Sequence, residues 1–387
     1  YEIRLSLVGS EMCIRDSFWF DRSIRKLIFD AMAPEWIAAY ESGLFTEFQE
    51  QRAPGHTVLD DKIYRLGFDD FMRMIDEASR RIRESGDDDA QARLDELRAM
   101  RIAAEALVAY AGRYAARLRE IAAEESGERR GELEEMAAIC ERVPARAPRT
   151  FHEALQYYWF VHLGVITELN TWDSFNPGRL DRHLWPFYRD GLADGSLTRE
   201  RAKELLEAFW VKFNNQPAPP KVGVTAQESN TYTDFCLINL GGVDEEGRNA
   251  VNDLTFLILD VIEEMRILQP GSMVQISREN PDEYLHRALR IVKTGFGQPS
   301  IFNTEAIVEE LLRQGKTLVD ARNGGASGCV ETGAFGKESY ILTGYLNLPK
   351  ILELALHDGI DPRRGVRIGP STGAPSSFPT FDELYAA

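Results

Sequence analysis

Asn323-Gly-Gly-Ala-Ser-Gly-Cys-Val-Glu-Thr-Gly-Ala-Phe-Gly336 carries five glycines, and within it Cys329 and Glu331 stand two residues apart. Helix-like stretches flank the segment on both sides. Glycine at this density lets the backbone take positive φ angles and approach other groups closely. Such a loop can push a thiol into a cavity rather than tuck it under a helix. A lone free cysteine is most often a small, inert, buried hydrophobe. A thiol beside a carboxylate on a glycine loop points instead to chemistry.

Outward from this loop, the 387 residues are 44% hydrophobic, enough for a large core in two ordinary domains or one barrel-sized α/β unit. The 62 acidic and 45 basic residues give a net charge of −17, which argues against nucleic acid and anionic membranes as partners. No apolar run reaches membrane-spanning length. Cys13, Cys140, Cys236 and Cys329 lie far apart, with no CxxC, no HExxH and no His–Cys pair at zinc spacing. No metal site is expected, and a reducing cytoplasm is the natural setting. Gly336-Lys337 has the ending of a phosphate loop, but Glu331 stands where its first glycine is needed, so there is no Walker motif.

Along the chain, residues 1–17 have no signal-peptide layout and join poorly to the helix-like run that starts near Phe18. They resemble translated adapter sequence and are read as a non-native leader. Residues 18–147 read as an N-terminal helical region, with helical periodicity from Phe68 to Glu84 and from Leu94 to Glu124. A proline-bearing break at Val143–Pro148 ends it. Residues 148–387 begin with an aromatic helix from Phe151 to about Leu163, capped near Thr150. Helices are expected at 198–213, 251–265, 283–293, 305–314 and 348–357, and strands at 235–240, 272–277 and 300–303. Helix and strand in alternation predict an α/β sheet or barrel, with chemistry in the loops at strand C-termini. Trp210–Lys221 reads as a rim loop. The chain stops inside a helix-like run at Phe381–Ala387, so a fragment is expected.

Gly328-Cys-Val-Glu331 resembles the cysteine loop of the glycyl radical enzymes related to pyruvate formate-lyase, and among them the dehydratases of hydroxyproline. Supporting segments include Ala33–Trp36, Gln51–Thr57, Tyr158–His162, Glu168–Arg179, Trp210–Lys221, Ser229–Phe235 and Gly333–Tyr345. The resemblance runs from about Phe18 to the end. It implies a ten-stranded α/β barrel in the full-length family, of which this chain would be a part. It also implies a radical stored on a glycine in an Arg-Val-Ala-Gly-type loop and installed by a radical-SAM activating enzyme. No such loop occurs here, so the chain alone is expected to be inactive. A homodimer is implied as well.

The resemblance assigns Cys329 as the thiyl residue and Glu331 as the general acid. Asp173 becomes a second carboxylate at the substrate, and Ser229, Phe235 and Tyr345 become pocket contacts. A further contact, a threonine, would lie beyond Ala387. The implied reaction is anaerobic loss of water from trans-4-hydroxy-L-proline to give 1-pyrroline-5-carboxylate. Two carboxylates in a water-poor site push their pKa values apart, one ionised and the other protonated. Rival readings are another glycyl radical eliminase acting on a diol, choline or a sulfonate; a cysteine hydrolase; or a non-catalytic helical scaffold. The hydrolase needs a histidine beside the thiol, and the nearest downstream one, His357, sits in a helix-like run. His56, His162 and His357 receive no role.

Overall fold

A computed structural model describes residues 24–46, 56–168, 175–215, 236–328, 330–340 and 344–386. The chain divides into two compact units, Pro54–Tyr340 and a second formed by Tyr1–Ala53 with Ile341–Ala387.

The larger unit begins with strand β1 (His56–Val58), a correction to the helical reading of this region. Three residues are too few to show a period of two, and the strand exists because its partners are distant. It pairs in parallel with β2 (Phe175–Asn176) and antiparallel with β9 (Ser339–Tyr340). Helices Phe68–Ser85, Ala90–Glu124 and Gly127–Arg142 follow, packed one on the next. Ala104, Ala111, Ala115 and Ala122 are buried along the longest of them. These small side chains let the helix Gly127–Arg142 approach closely with its buried Leu133, Ala137, Ile139 and Cys140. Arg119 adds a bidentate pair to Glu141 at 2.8 and 2.9 Å on the solvent side.

Gly67 starts the helix Phe68–Ser85 and has its N–H bonded to Asp70 Oδ2 at 2.9 Å. A Cβ there would stand 2.3 Å from the Ala145 carbonyl oxygen and 2.4 Å from Arg146 Cα. Gly67→Ala should therefore cost about 1–3 kcal/mol, because the obstacle is backbone. Urea unfolding measures this, and an unchanged midpoint would refute the close approach.

Helix Phe151–Glu168 buries Phe151, Leu155, Tyr157, Tyr158, Trp159, Phe160 and Ile166, so it is core on nearly every side. It runs five residues past the expected end at Leu163, because Gly164 is tolerated inside the helix against the Leu107 side chain. Helix Arg199–Asn214 is capped by Thr198, whose Oγ1 accepts from Arg201 N at 3.1 Å. It absorbs Trp210–Asn214, a correction to the expected rim loop over those residues, and residues 216–221 lie outside the described residues.

Strands β3 (Gly178–Arg179), β4 (Leu237–Gly241), β5 (Gly271–Ile276) and β6 (Ser300–Asn303) form a parallel sheet in that order. Helices Asp253–Met265 and Asp282–Val292 make the crossovers, the α/β alternation expected from the sequence. Among the described residues this sheet is open rather than closed into a barrel. Alternation along β4 and β5 sends Ile238, Leu240 and Val274 into the main helix-covered core. Leu237 and Met273 point the other way, into a smaller cluster with Ile307, Leu311, Ala321 and Ala326. Asn239 and Gln275 share that second face by the same alternation.

The second unit contains helices Ile24–Ala31, Pro34–Glu41, Leu348–Leu356 and Phe381–Ala386 and a small hairpin, Ile360–Asp361 with Val366–Arg367. Phe29, Trp36, Tyr40 and Phe45 pack ring to ring with centroids 5.0–6.1 Å apart. Lys350 Nζ reaches the buried Asp361 carboxylate at 2.7 Å.

Candidate functional site

The glycine-rich segment is a hairpin. Strands β7 (Gly325–Ser327) and β8 (Glu331–Gly333) pair antiparallel, with Gly325 opposite Gly333, Ala326 opposite Thr332 and Ser327 opposite Glu331. Residues 328–330 therefore close the turn, and Gly328 takes φ +55°, a left-handed conformation suited to glycine. Cys329 is one of the three turn residues, although its own placement lies outside the described residues. Glu331 is partly buried, and its Oε2 accepts from Val330 N at 3.0 Å.

A ladder of buried amides fastens β7 to the sheet. Asn239 Nδ2 donates to the Ala326 carbonyl at 2.8 Å, and Asn239 Oδ1 accepts from Ala326 N at 3.1 Å. Gln275 Nε2 donates to the Gly324 carbonyl at 3.0 Å. Asn176 Nδ2 donates to Ser327 Oγ at 2.8 Å, while its Oδ1 accepts from Leu237 N at 2.6 Å. All three amides are buried, and such groups persist in an interior because each polar atom is paired. A Cβ on Gly325 would stand 2.3 Å from Asn239 Oδ1 and 2.5 Å from Phe335 Cζ, so β7 must be bare here to reach the ladder.

Two further supports hold the ladder. The Tyr158 hydroxyl donates to the Phe175 carbonyl at 2.7 Å, and His162 Nδ1 lies 3.1 Å from the same oxygen. They anchor the strand that presents Asn176, which gives the buried His162 a positioning role that its sequence context did not reveal. Arg179, also buried, donates to the carbonyls of Arg322 at 3.1 Å and Val243 at 3.0 Å, and to that of Gly241. Arg182 reaches Asn323 Oδ1 at 2.9 Å. The root of the hairpin is thus gripped by two arginines and its length by three amides.

Of the site residues expected from sequence, Glu331 sits in the hairpin, at the pair that flanks the turn. Tyr345 belongs to the second unit and is exposed, with its N–H on Thr46 Oγ1 at 3.2 Å. Asp173, Ser229 and Phe235 lie outside the described residues. Asn176, Asn239, Gln275, Arg179 and His162 went unread, though amides at alternate positions of otherwise apolar strands, Leu-Ile-Asn-Leu-Gly and Gly-Ser-Met-Val-Gln-Ile, were a usable signal. Among the described residues, no helix is long and apolar enough to cross a membrane, and no three His, Cys, Asp or Glu side chains gather as a metal site.

The family profile described as pyruvate formate lyase-like matches residues 10–387, and the chain belongs to that family. It is 54% identical over 371 residues to trans-4-hydroxy-L-proline dehydratase of Clostridioides difficile, covering 96% of this chain and 47% of that protein. It is 31% identical to (2S)-3-sulfopropanediol dehydratase of Klebsiella oxytoca, over 97% of this chain and 46% of the relative. The crystal structure of the Clostridioides difficile hydroxyproline dehydratase with trans-4-hydroxy-L-proline bound superposes with a TM-score of 0.88 at 53% identity, covering 96% of this chain and 47% of that one. The chain therefore spans about half the length of the curated relatives it matches.

Proposed function

We propose that this chain serves the radical dehydration of trans-4-hydroxy-L-proline to 1-pyrroline-5-carboxylate. The observation that carries the chemistry is the antiparallel pairing of Ser327 with Glu331, two residues either side of Cys329 in the chain, in a hairpin fastened to the sheet. A thiol and a carboxyl group on one fastened turn can act on one substrate. The substrate assignment is supported by the 54% identity to a dehydratase of that compound.

A glycyl radical, installed by a radical-SAM activase, supplies the power to take a hydrogen atom from the Cys329 thiol. The residues of this chain do the rest. Cys329, as thiyl, takes a hydrogen atom from the ring carbon beside nitrogen, where the adjacent lone pair stabilises the carbon radical. Glu331 gives its proton to the C4 hydroxyl, because hydroxide is a poor leaving group and water a good one. The hydrogen atom on sulfur returns to the ring, and the ring nitrogen gives up a proton as the C=N bond forms, so the net change is loss of one water. Asp173, as the ionised carboxylate, faces the amine or hydroxyl side of the ring. Ser229 donates to the substrate carboxylate, and Phe235 packs on the ring. A site closed to water and oxygen suits these intermediates. A homodimer in the cytoplasm completes the proposal.

The test is an anaerobic assay of the full-length protein with its activase, measuring hydroxyproline loss and the electron-spin signal of the glycyl radical. Glu331→Gln should lower kcat by about 10²–10⁴-fold with the radical yield unchanged, the span of general acid catalysis. Unaltered turnover would remove Glu331 from the acid role. Turnover of a diol or sulfonate in place of hydroxyproline would move the protein to a sister eliminase.

A further inference from the structure

At the root of the hairpin, at the end away from its turn, lies a cavity of about 500 Å³. Asn323, just before β7, and Phe335, just after β8, form part of its wall, with Tyr64, Arg179, Arg182 and His183. Three side-chain atoms on this wall, Tyr64 Oη, Arg179 Nε and His183 Nδ1, are buried without a hydrogen-bond partner among the described residues. Tyr64 is 6% exposed and Arg179 only 1%. Buried polar atoms are nearly always paired, so three orphans around one cavity mark a place where something polar sits.

The charges on the wall define what that is. Its carboxylates already have partners. Asp60 pairs with Lys62 at 3.3 Å, Asp61 with Arg65 at 2.7 Å, Asp320 with Lys337 at 3.7 Å, and Glu245 accepts from Asn323 at 3.1 Å. Asp181, next in chain to the wall but not part of it, accepts through Oδ2 from Gly241 N at 2.8 Å and Thr255 Oγ1 at 2.7 Å, while its Oδ1 is buried without a partner among the described residues. Arg179 and Arg182, by contrast, donate to neutral oxygens: backbone carbonyls for the first and the Asn323 amide for the second. Burial, then the charges of Arg182 and Arg179, holds the His183 imidazole down at about 3, so it is neutral at ordinary pH. Burial lowers the Arg179 guanidinium to about 10, with Arg182 adding to the effect. Burial raises Tyr64 well above the usual phenol range, which keeps its O–H as a donor.

We propose that this cavity binds a small oxyanion, a carboxylate or a phosphate, separately from the hairpin turn. Its oxygens would accept from Tyr64 Oη–H, Arg179 Nε–H and the Arg182 guanidinium, and its charge would relieve the repulsion between the two arginines. Both arginines hold the backbone or side chain at 322–323, so an occupied site stiffens the entry to β7.

The experiment titrates inorganic phosphate and, separately, acetate into the chain at ionic strength fixed with chloride, by calorimetry and thermal unfolding. Saturable binding of one of them is expected, with a rise in the unfolding midpoint that saturates with it. Arg182→Gln should weaken binding about tenfold, the loss of one charge-assisted hydrogen bond. Tyr64→Phe, which deletes a single oxygen and keeps the ring, should weaken it by a smaller factor and serves alone if Arg182→Gln does not fold. The phosphate and acetate arms separate the two ligand classes. Absence of saturable binding by both anions, or binding unaltered in Tyr64→Phe and Arg182→Gln, overturns the proposal. Hydroxyproline turnover is not a readout here, so failure of this site and failure of the dehydratase reading remain distinct.

Discussion

Cys329→Ser should leave turnover more than about 10³-fold below the parent while the activated protein still shows its glycyl electron-spin signal. The substitution is nearly isosteric, so the hairpin keeps its three-residue turn and its pairing of Ser327 with Glu331. What changes is the bond to hydrogen. A serine O–H is far stronger than a cysteine S–H, and a radical stored on glycine cannot profitably exchange with it. Hydrogen abstraction from substrate then has no carrier, although binding is preserved. The decisive comparison measures radical yield and product formation on the same sample. Product formation by the serine variant with an undiminished signal would mean that another group carries the hydrogen atom.

The second large effect is expected at a residue with no place in the chemistry. Asn239→Ala removes both hydrogen bonds to Ala326, at 2.8 and 3.1 Å, and leaves a buried N–H and a buried carbonyl unpaired. Each unpaired group costs about 1–3 kcal/mol, so a stability loss of about 2–4 kcal/mol should appear in urea unfolding. The kinetic loss should exceed what unfolding explains. The turn is carried by β7, and a displacement on the order of 1 Å at a reacting group costs about 10²-fold. That loss should fall on kcat rather than KM, because none of the proposed substrate contacts is a residue of β7. Asn239→Asp keeps the acceptor for Ala326 N and should lie between the parent and Asn239→Ala. A full stability loss with kcat untouched would show the ladder to be packing alone.

Helices with a solvent side were legible in the chain because their periodicity is local. Phe68–Ser85, Arg199–Asn214 and Asp282–Val292 fall within a residue or so of expectation. Thr150 caps its helix as foreseen, its Oγ1 accepting from Glu153 N at 3.2 Å. Strands β4, β5 and β6 were also visible, as short apolar runs between turns, with ends shifted by a residue or two for β4 and β5. Strands β1, β2, β3, β7 and β8 were not. Two or three residues carry no period, and glycines in β7 and β8 read as loop until a partner is present. The site divides along the same line. Cys329 and Glu331 stood out as candidates by adjacency and by resemblance to a family. Asn176, Asn239 and Gln275 act on partners up to 151 residues away, a separation no local pattern encodes.

The two sides of β4 and β5 answer to different kinds of constraint. Toward the helices, Ile238, Leu240 and Val274 are exchanged for other aliphatics at a cost set by shape alone, and neighbours can shift to compensate. Toward the hairpin, Asn239 and Gln275 hold backbone atoms that have no second choice of partner. Alternate positions of one strand should therefore drift at different speeds through divergence. A designer wanting new substrates would do best to spare the amide side and spend variation elsewhere around the turn.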